Sequence, residues 1–198
     1  PEVGAEVVGV APYIAAQTLM VNGSDNIRGV IVRGISPADE ATVTDIAAQL
    51  KDTVLTRLVP GEWDVVLGID LARSLGVREG DKVTVVLPEP QFTPAGSIPR
   101  TKRLNVVGVF NAGHYEYDST LAMVQLEDAA KLFRTGGPTG VQLRLKNLHD
   151  ARDVGAQLSQ VLGPEVSVRD WTRTNRNWFS AVQLEKRLMF IILTLIVA

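Results

Sequence analysis

Apolar and polar positions at the start of the chain follow the two-residue period of β-strands. Residues 5–21 (AEVVGVAPYIAAQTLMV) and 28–35 (RGVIVRGI) are rich in strand-forming side chains, and the turn-forming segment 22–26 (NGSDN) separates them. This pattern predicts a β-hairpin. Residues 36–50 then show a helix start, with Ser36 as N-cap, a proline at the first helical position and acids in the first turn.

Strand and helix patterns alternate through the rest of the chain. Residues 64–87 predict a strand, a short helix closed by Gly76, a turn at Gly80-Asp81 and a second strand. The later predictions are a return strand over 104–110, a strand running into a helix over 121–133, and a β-α-β unit of strand 140–147, helix 151–163 and strand 165–171. The sequence therefore predicts an α+β fold with mixed strand connections.

The element order also predicts two lobes, one inserted in the other. Residues 56–134 are denser in strand and turn signals and form the predicted β-rich lobe. Residues 1–55 and 135–173 form a discontinuous α/β lobe, because the opening strands and the last β-α-β unit can share one sheet. Residues 174–198 are predicted to be a juxtamembrane segment and the start of a membrane helix.

The connection between two of the predicted strands is unusually long. Residues 88–103 (PEPQFTPAGSIPRTKR) link strands that a turn of two to five residues would join. The segment holds four prolines, an apolar Phe92 and a cationic exit. Connections of this length are usually functional or disordered, so we expect 88–103 to carry a function. The alternative is a passive crossover whose prolines protect a sheet edge.

Composition narrows the classes of partner and chemistry. The net charge of −2 and the pI of about 5.7 give no broad basic field, which argues against a nucleic-acid partner. The chain has no cysteine, which excludes thiol catalysis, zinc–thiolate sites and disulfides. No phosphate loop, nucleophile elbow or zinc-protease motif is present. We therefore expect no enzyme activity and no cofactor in this segment.

One short motif, 114–118 (HYEYD), has residue types that bind metals. On a strand, His114, Glu116 and Asp118 would lie on one face, because side chains alternate with a period of two. The alternative, which we favour, is a solvated strand end with Tyr115 and Tyr117 turned inward. We expect no metal site.

The last residues change the composition abruptly. From Leu188 to Ala198 every residue is apolar except Thr194, and Glu185, Lys186 and Arg187 precede this run. The run is too short to cross a bilayer but lacks the periodicity of an amphipathic core helix. We interpret it as the beginning of a transmembrane helix. The start at Pro1, without an initiator methionine or signal peptide, fits the same expectation of an extramembrane domain from a larger membrane protein.

Five segments in a fixed order, together with TPAGSIP in the long connection, resemble one family. The sequence is similar to the periplasmic domain of lipoprotein-releasing (Lol) ABC transporter permeases of the LolC/LolE type. The segments are 9–14, 28–37, 65–89, 102–133 and 168–198.

The resemblance implies a structure and an assembly. The fold would be a two-lobed MacB-like periplasmic domain, with an α/β porter-like lobe and an inserted β-rich lobe. The full protein would lie in the bacterial inner membrane with this segment in the periplasm. It would work with a second permease subunit and a cytoplasmic LolD-like ATPase, and would pass acylated lipoproteins to a soluble carrier, LolA. ATP hydrolysis would then belong to a separate subunit. An alternative is a MacB- or FtsX-type mechanotransmission domain that relays ATP-driven motion to another periplasmic partner.

The resemblance also assigns a role to residues 88–103. In LolC-type subunits the corresponding segment is a protruding hairpin that docks the carrier, whereas LolE-type subunits are not expected to dock it this way. Apolar side chains would anchor the carrier, and Arg100, Lys102 and Arg103 would face an acidic rim. The expected carrier-binding residues are Gln91, Phe92, Thr93, Pro94, Ile98, Pro99, Arg100, Thr101, Lys102 and Arg103.

Overall fold

A computed structural model describes residues 6–23, 26–44, 54–93, 96–147 and 150–170, together with residues 189, 192 and 194. For residues 88, 90–93 and 97 it describes the backbone alone. The strands are β1 Val7–Asn22, β2 Asn26–Ile35, β3 Asp64–Gly68, β4 Lys82–Thr93, β5 Gly96–Phe110, β6 Leu121–Gln125 and β7 Gly140–Leu145. The helices are α1 Pro37–Val43, α2 Ile69–Leu75, α3 Tyr115–Thr120, α4 Leu126–Phe133 and α5 Ala151–Leu162, with a 3-10 turn at Leu55–Arg57.

Six of the strands close into a ring. Neighbouring strands follow the order β2-β6-β3-β5-β4-β1, β1 also pairs with β2, and β7 lies next to β1. The β2–β6 and β3–β5 pairs are parallel, and the β1–β2, β1–β4, β3–β6 and β4–β5 pairs are antiparallel. Mixed strand directions combined with helices confirm the predicted α+β class.

The opening hairpin forms where the sequence pattern predicts it. β1 and β2 pair without a register shift from Tyr13 opposite Ile35 to Asn22 opposite Asn26. Ile14, Thr18 and Met20 of β1 are buried, while residues between them are more exposed. The two-residue period thus sets one face of the hairpin toward the core.

Apolar side chains cover both faces of the short central strands. On β3, Val65 and Leu67 belong to the larger core cluster, and Val66 belongs to a second cluster that includes Phe110 and Leu55. Both β3 and β6 are buried along their whole length, which explains why their sequences are apolar runs rather than alternating patterns. Each fully buried aliphatic side chain contributes roughly 1.5–3 kcal/mol, so these five-residue strands are held by burial on two sides.

Helix boundaries agree with the local signals in the described part of the chain. Gly76 closes α2 with φ 68°, and the Val77 N–H donates to the Ala72 carbonyl at 3.0 Å, as the sequence predicted. α1 begins at the predicted proline, although the Ser36 side chain makes no capping hydrogen bond, and it ends at Val43. The strand and helix predicted over 121–133 form as β6 and α4.

Two local predictions were wrong. Residues 115–120 form a helix rather than a strand, because the Asp118 N–H donates to the His114 carbonyl at 2.9 Å and its carboxylate accepts the Ala112 N–H at 2.7 Å. The tyrosines predicted to point inward are 78% (Tyr115) and 49% (Tyr117) exposed. The strand predicted over 165–171 is absent from its described part, 165–170, so no β-α-β unit is completed there.

By its internal contacts the chain divides into two compact units. One is Val8–Arg144, which contains the ring of strands, and the other combines Pro1–Val7 with Leu145–Ala198. In the second unit, α5 ends before Gly163 and the Lys146 N–H donates to the Glu6 carbonyl at 2.8 Å. Strands from the predicted lobes 1–55 and 56–134 share the ring, since β2 pairs with β6 and β1 pairs with β4.

The predicted membrane segment 174–198 falls outside the described residues except at positions 189, 192 and 194. Within the described part of the chain, no helix is long and apolar enough to cross a bilayer.

Candidate docking hairpin

Most of the segment that looked like an oversized loop is a continuation of two strands. β4 runs to Thr93 and β5 starts at Gly96, so only residues 94 and 95 separate them. Residues 90–93 pair with residues 96–99. β4 pairs with β1 through Thr84–Val86, and β5 pairs with β3 through Asn105–Phe110. Residues 90–93 and 96–99 therefore form a two-stranded arm, and we call it the hairpin arm.

The arm joins the ring across an irregularity in the β4–β5 ladder. The register runs evenly from Lys82 opposite Asn105 to Val86 opposite Thr101, then resumes with Pro90 opposite Pro99. Four residue steps on β4 thus match two on β5. Prolines cannot donate to the ladder and occur in strands mainly at edges and bulges, which accounts for an interruption at 88–90.

Of the apolar residues predicted to contact the carrier, the structure describes the side chains of Ile98 and Pro99. Ile98 is 53% exposed, and Pro99 is exposed as well. The backbones of Gln91, Phe92 and Thr93 pair with Ile98, Ser97 and Gly96, respectively. Pro94 and the side chains of residues 91–93 lie outside the described part. Ile98 is thus an exposed apolar side chain on a paired strand.

The predicted cations lie on two different faces of β5. Arg100 and Lys102 are half-buried and follow the same two-residue period as buried Leu104, whereas Thr101 and Arg103 are exposed. Arg100 and Lys102 therefore lie on the same face of β5 as the buried core residues, and Arg103 lies on the opposite, exposed face. This placement on two faces differs from the expectation that Arg100, Lys102 and Arg103 would together face an acidic rim of the carrier.

The two inward cations contact the body of the unit. An Arg100 guanidinium nitrogen donates to the Leu132 carbonyl at 3.2 Å, near the C-terminal end of α4. The Lys102 ammonium lies 3.6 Å from the centre of the Trp63 ring, within the range of a cation–π interaction. These groups line an open groove of about 350 Å³, together with Leu87 and Lys131.

Trp63 was missed by sequence reasoning, and its conformation is unusual. Its φ of 60° is left-handed, a region that bulky residues rarely adopt. The Asp128 carboxylate, 2% exposed, accepts the Gly61 N–H at 2.9 and 3.0 Å and the Trp63 N–H at 3.4 Å. The Asn105 N–H donates to the Trp63 carbonyl at 2.9 Å. The sequence signal that could have indicated this arrangement is Asp128, an acidic residue among the buried positions of α4.

The three residues of metal-binding type at 114–118 do not converge. Asp118 is buried and accepts the Ala112 N–H, while Glu116 on the short helix α3 and His114 at its N-cap are exposed. Among the described residues, no group of three possible metal ligands comes together.

Comparison with curated proteins finds close relatives of nearly the whole chain. A protein of Neisseria meningitidis named "Lipoprotein-releasing system transmembrane protein LolC" is 44% identical over 97% of this chain and 46% of its own length. A LolC of Xylella fastidiosa is 42% identical over 97% of this chain and 46% of its own length. A LolE of Haemophilus influenzae is 21% identical over 97% of the chain and 46% of its own length. The chain spans a little under half the length of these relatives.

Comparison with solved structures gives weaker similarities. The extracellular domain of the ABC-type transporter YknZ matches 82% of this chain at a TM-score of 0.46 and 13% identity, and covers 82% of its own chain. The periplasmic region of MacB from Actinobacillus actinomycetemcomitans matches 79% of this chain and 68% of its own, at a TM-score of 0.46 and 12% identity. No family model matches the chain. The identities to the LolC proteins confirm the predicted resemblance: the chain is homologous to one segment of LolC.

Proposed function

We propose that this chain, a homologue of one segment of the LolC proteins, is the periplasmic domain of an inner-membrane ABC transporter permease that releases lipoproteins. The name of its LolC relatives, lipoprotein-releasing system transmembrane protein, supports this assignment. In this proposal, the full protein pairs with a second permease subunit. A cytoplasmic LolD-like ATPase hydrolyses ATP, and acylated lipoproteins are the cargo. The segment itself has no catalytic role.

The finer part of the proposal concerns segment 88–103, which docks a soluble LolA-like carrier. The observation that carries it is the hairpin arm, whose strands pair with each other beyond the residues that pair with the neighbouring strands. A protruding arm can enter a cleft on a partner without rearranging the core. Four prolines at 88, 90, 94 and 99 restrict the backbone, so binding orders fewer degrees of freedom.

Apolar anchors on the arm would supply most of the binding energy. Binding energy in protein interfaces concentrates in a few large side chains that become fully desolvated. Ile98 is already 53% exposed in the unbound domain, so covering it removes apolar surface from water. Phe92 is the larger apolar residue, and its backbone pairs with Ser97 near the end of the arm.

Arg103 is the cation that best fits an acidic carrier surface. It is exposed on the face of β5 that points away from the ring. Arg100 and Lys102 already contact Leu132 and Trp63. Charges at the edge of an interface act mainly on the association rate and lose their effect as salt is added.

The test is a titration of the chain with the lipoprotein carrier of the same organism. In the variant, residues 91–98 are replaced by Asn-Gly, a two-residue turn joining the directly paired Pro90 and Pro99. We expect carrier affinity to fall by at least tenfold, about 1.4 kcal/mol, while the melting temperature stays the same. A matched control replaces the loop residue Gly137, which has open space for a side chain and is remote from the arm in sequence, by serine.

Each outcome decides between interpretations. Unchanged affinity in the shortened variant overturns carrier docking through the arm and favours the passive crossover or the mechanotransmission alternative. Lost affinity together with a large fall in melting temperature means that the arm is part of the core, and this also overturns docking. Lost affinity with unchanged melting supports the proposal.

A further inference from the structure

We infer that Trp63, held in place by Asp128, is a positioning residue that sets the direction in which the hairpin arm leaves the ring. The inference rests on the proposed docking function for its biological meaning, but its geometry is independent of any carrier. Two features of the structure motivate it. The ladder that should hold the arm is interrupted, and the contacts at its base come from elements distant in sequence.

The interruption leaves the arm without a continuous ladder to orient it. Between Val86 and Pro90 the register shifts, with two extra residues on β4. A bulge bends a strand and changes its local twist, so the direction beyond it depends on other contacts. The arm therefore needs support at its base if it is to project in one direction.

That support lies on the inward face of β5. Arg100 binds the Leu132 carbonyl at 3.2 Å, and two residues further along, Lys102 lies 3.6 Å from the centre of the Trp63 ring. Both contacts are made just where the regular ladder ends. They fix β5 immediately after it leaves the arm.

Trp63 meets Lys102 from a backbone that is held in an unfavourable, left-handed conformation. A left-handed φ at a bulky residue is unfavourable and persists only where the surroundings impose it. The Asp128 carboxylate and the Asn105 N–H hold the peptide groups on both sides of the residue. Asp128 and Leu132 are four residues apart on α4 and thus lie on the same side of the helix. One helix face consequently supports both contacts at the base of the arm.

A distance measurement tests this directly. The chain has no cysteine, so spin labels can be attached at Ser97→Cys in the arm and Glu127→Cys, an exposed position on α4, in the whole 198-residue chain. From Thr101 to Ser97 the strand extends about 13 Å. A rotation of about 20°, comparable to the normal angle between neighbouring strands, would move the label by about 5 Å.

We expect Trp63→Ala and Lys102→Gln to shift the mean distance by several ångströms or to broaden the distribution. Lys102→Arg should restore the parent distribution, because a guanidinium also stacks on the indole ring. Arg103→Gln, one residue away on the opposite face, is the matched control and should change nothing. Lys102→Gln removes a half-buried surface contact, so the test does not depend on the folding of the Trp63 variant.

The proposal is overturned if Lys102→Gln leaves the distance distribution identical to that of the parent chain. It is also overturned if Arg103→Gln changes the distribution as much as Lys102→Gln does. Because no carrier is present, failure of the docking proposal does not affect this result. If the arm moves in Lys102→Gln and carrier affinity stays the same, positioning stands, and docking is decided separately by the variant that lacks residues 91–98.

Discussion

Replacing Asp128 by alanine should destabilise the chain strongly, because a buried carboxylate holds the turn that contains Trp63. The substitution leaves the N–H groups of Gly61 and Trp63 without their acceptor at a position where Asp128 is 2% exposed. A hydrogen bond to a charged acceptor contributes about 1.5–3 kcal/mol, and the 3.4 Å contact to Trp63 belongs at the lower end. We expect a loss of about 3 kcal/mol in the free energy of unfolding.

Two further variants separate the hydrogen bonds from the charge. Asp128→Asn keeps one oxygen that can accept the Gly61 N–H, so it should lose about half as much stability. The Lys131 ammonium lies 3.8 Å from Asp128 and its side chain is 58% exposed, so Lys131→Gln should cost less than about 1 kcal/mol. Asp70→Ala, which breaks an exposed ion pair with Arg73 on α2, is the matched control and should also cost less than about 1 kcal/mol.

Urea unfolding followed by far-ultraviolet circular dichroism provides the measurement. If the slopes of the transitions agree between variants, the shift in midpoint gives the change in stability. A cost for Asp128→Ala within about 1 kcal/mol of that for Asp70→Ala would refute the reasoning. It would mean that the turn at residues 59–63 rearranges and that its N–H groups find other acceptors or water.

Four shorter predictions follow from the arm, the ring and helix α3. Phe92→Ala should weaken carrier binding by about 1–2 kcal/mol in calorimetric titration while the melting temperature stays the same. Arg103→Glu should slow carrier association, and stopped-flow rates should become less dependent on salt. Gly68→Ala should cost at least about 2 kcal/mol in urea unfolding, because a Cβ there would lie 2.3 Å from the Asp118 carbonyl oxygen. Dialysis against a chelator should not change thermal melting, because the carboxylate of Asp118 accepts the Ala112 N–H rather than joining His114 at a metal.

The sequence alone was sufficient to predict those elements whose conformation depends on residues close to one another along the chain. The opening hairpin follows from two alternating runs around a turn, and α2 ends at Gly76, where a left-handed φ of 68° suits glycine. The α+β class follows from the mixture of these patterns. The homology to LolC was also visible in the sequence, because it depends on ordered segments of side chains and not on their contacts.

The tertiary structure decided the features that depend on pairing between distant residues. Residues 88–103 suggested a loop because four prolines interrupt the strand pattern, yet residues 90–93 pair with 96–99 across a bulge. Residues 114–118 alternate like a strand, but burial of the Asp118 carboxylate against the Ala112 N–H favours a helix.

The positions of the charges at the base of the arm also could not be predicted from local sequence. A two-residue period places Arg100 and Lys102 on one face and Arg103 on the other, but only the closed ring determines which face meets the protein. The contact between Lys102 and Trp63 joins residues 39 positions apart and depends on an aspartate in a third segment. Local sequence determines which conformations a segment can adopt, whereas non-local hydrogen bonds and burial select the one that forms, because their free energies exceed the small local preferences.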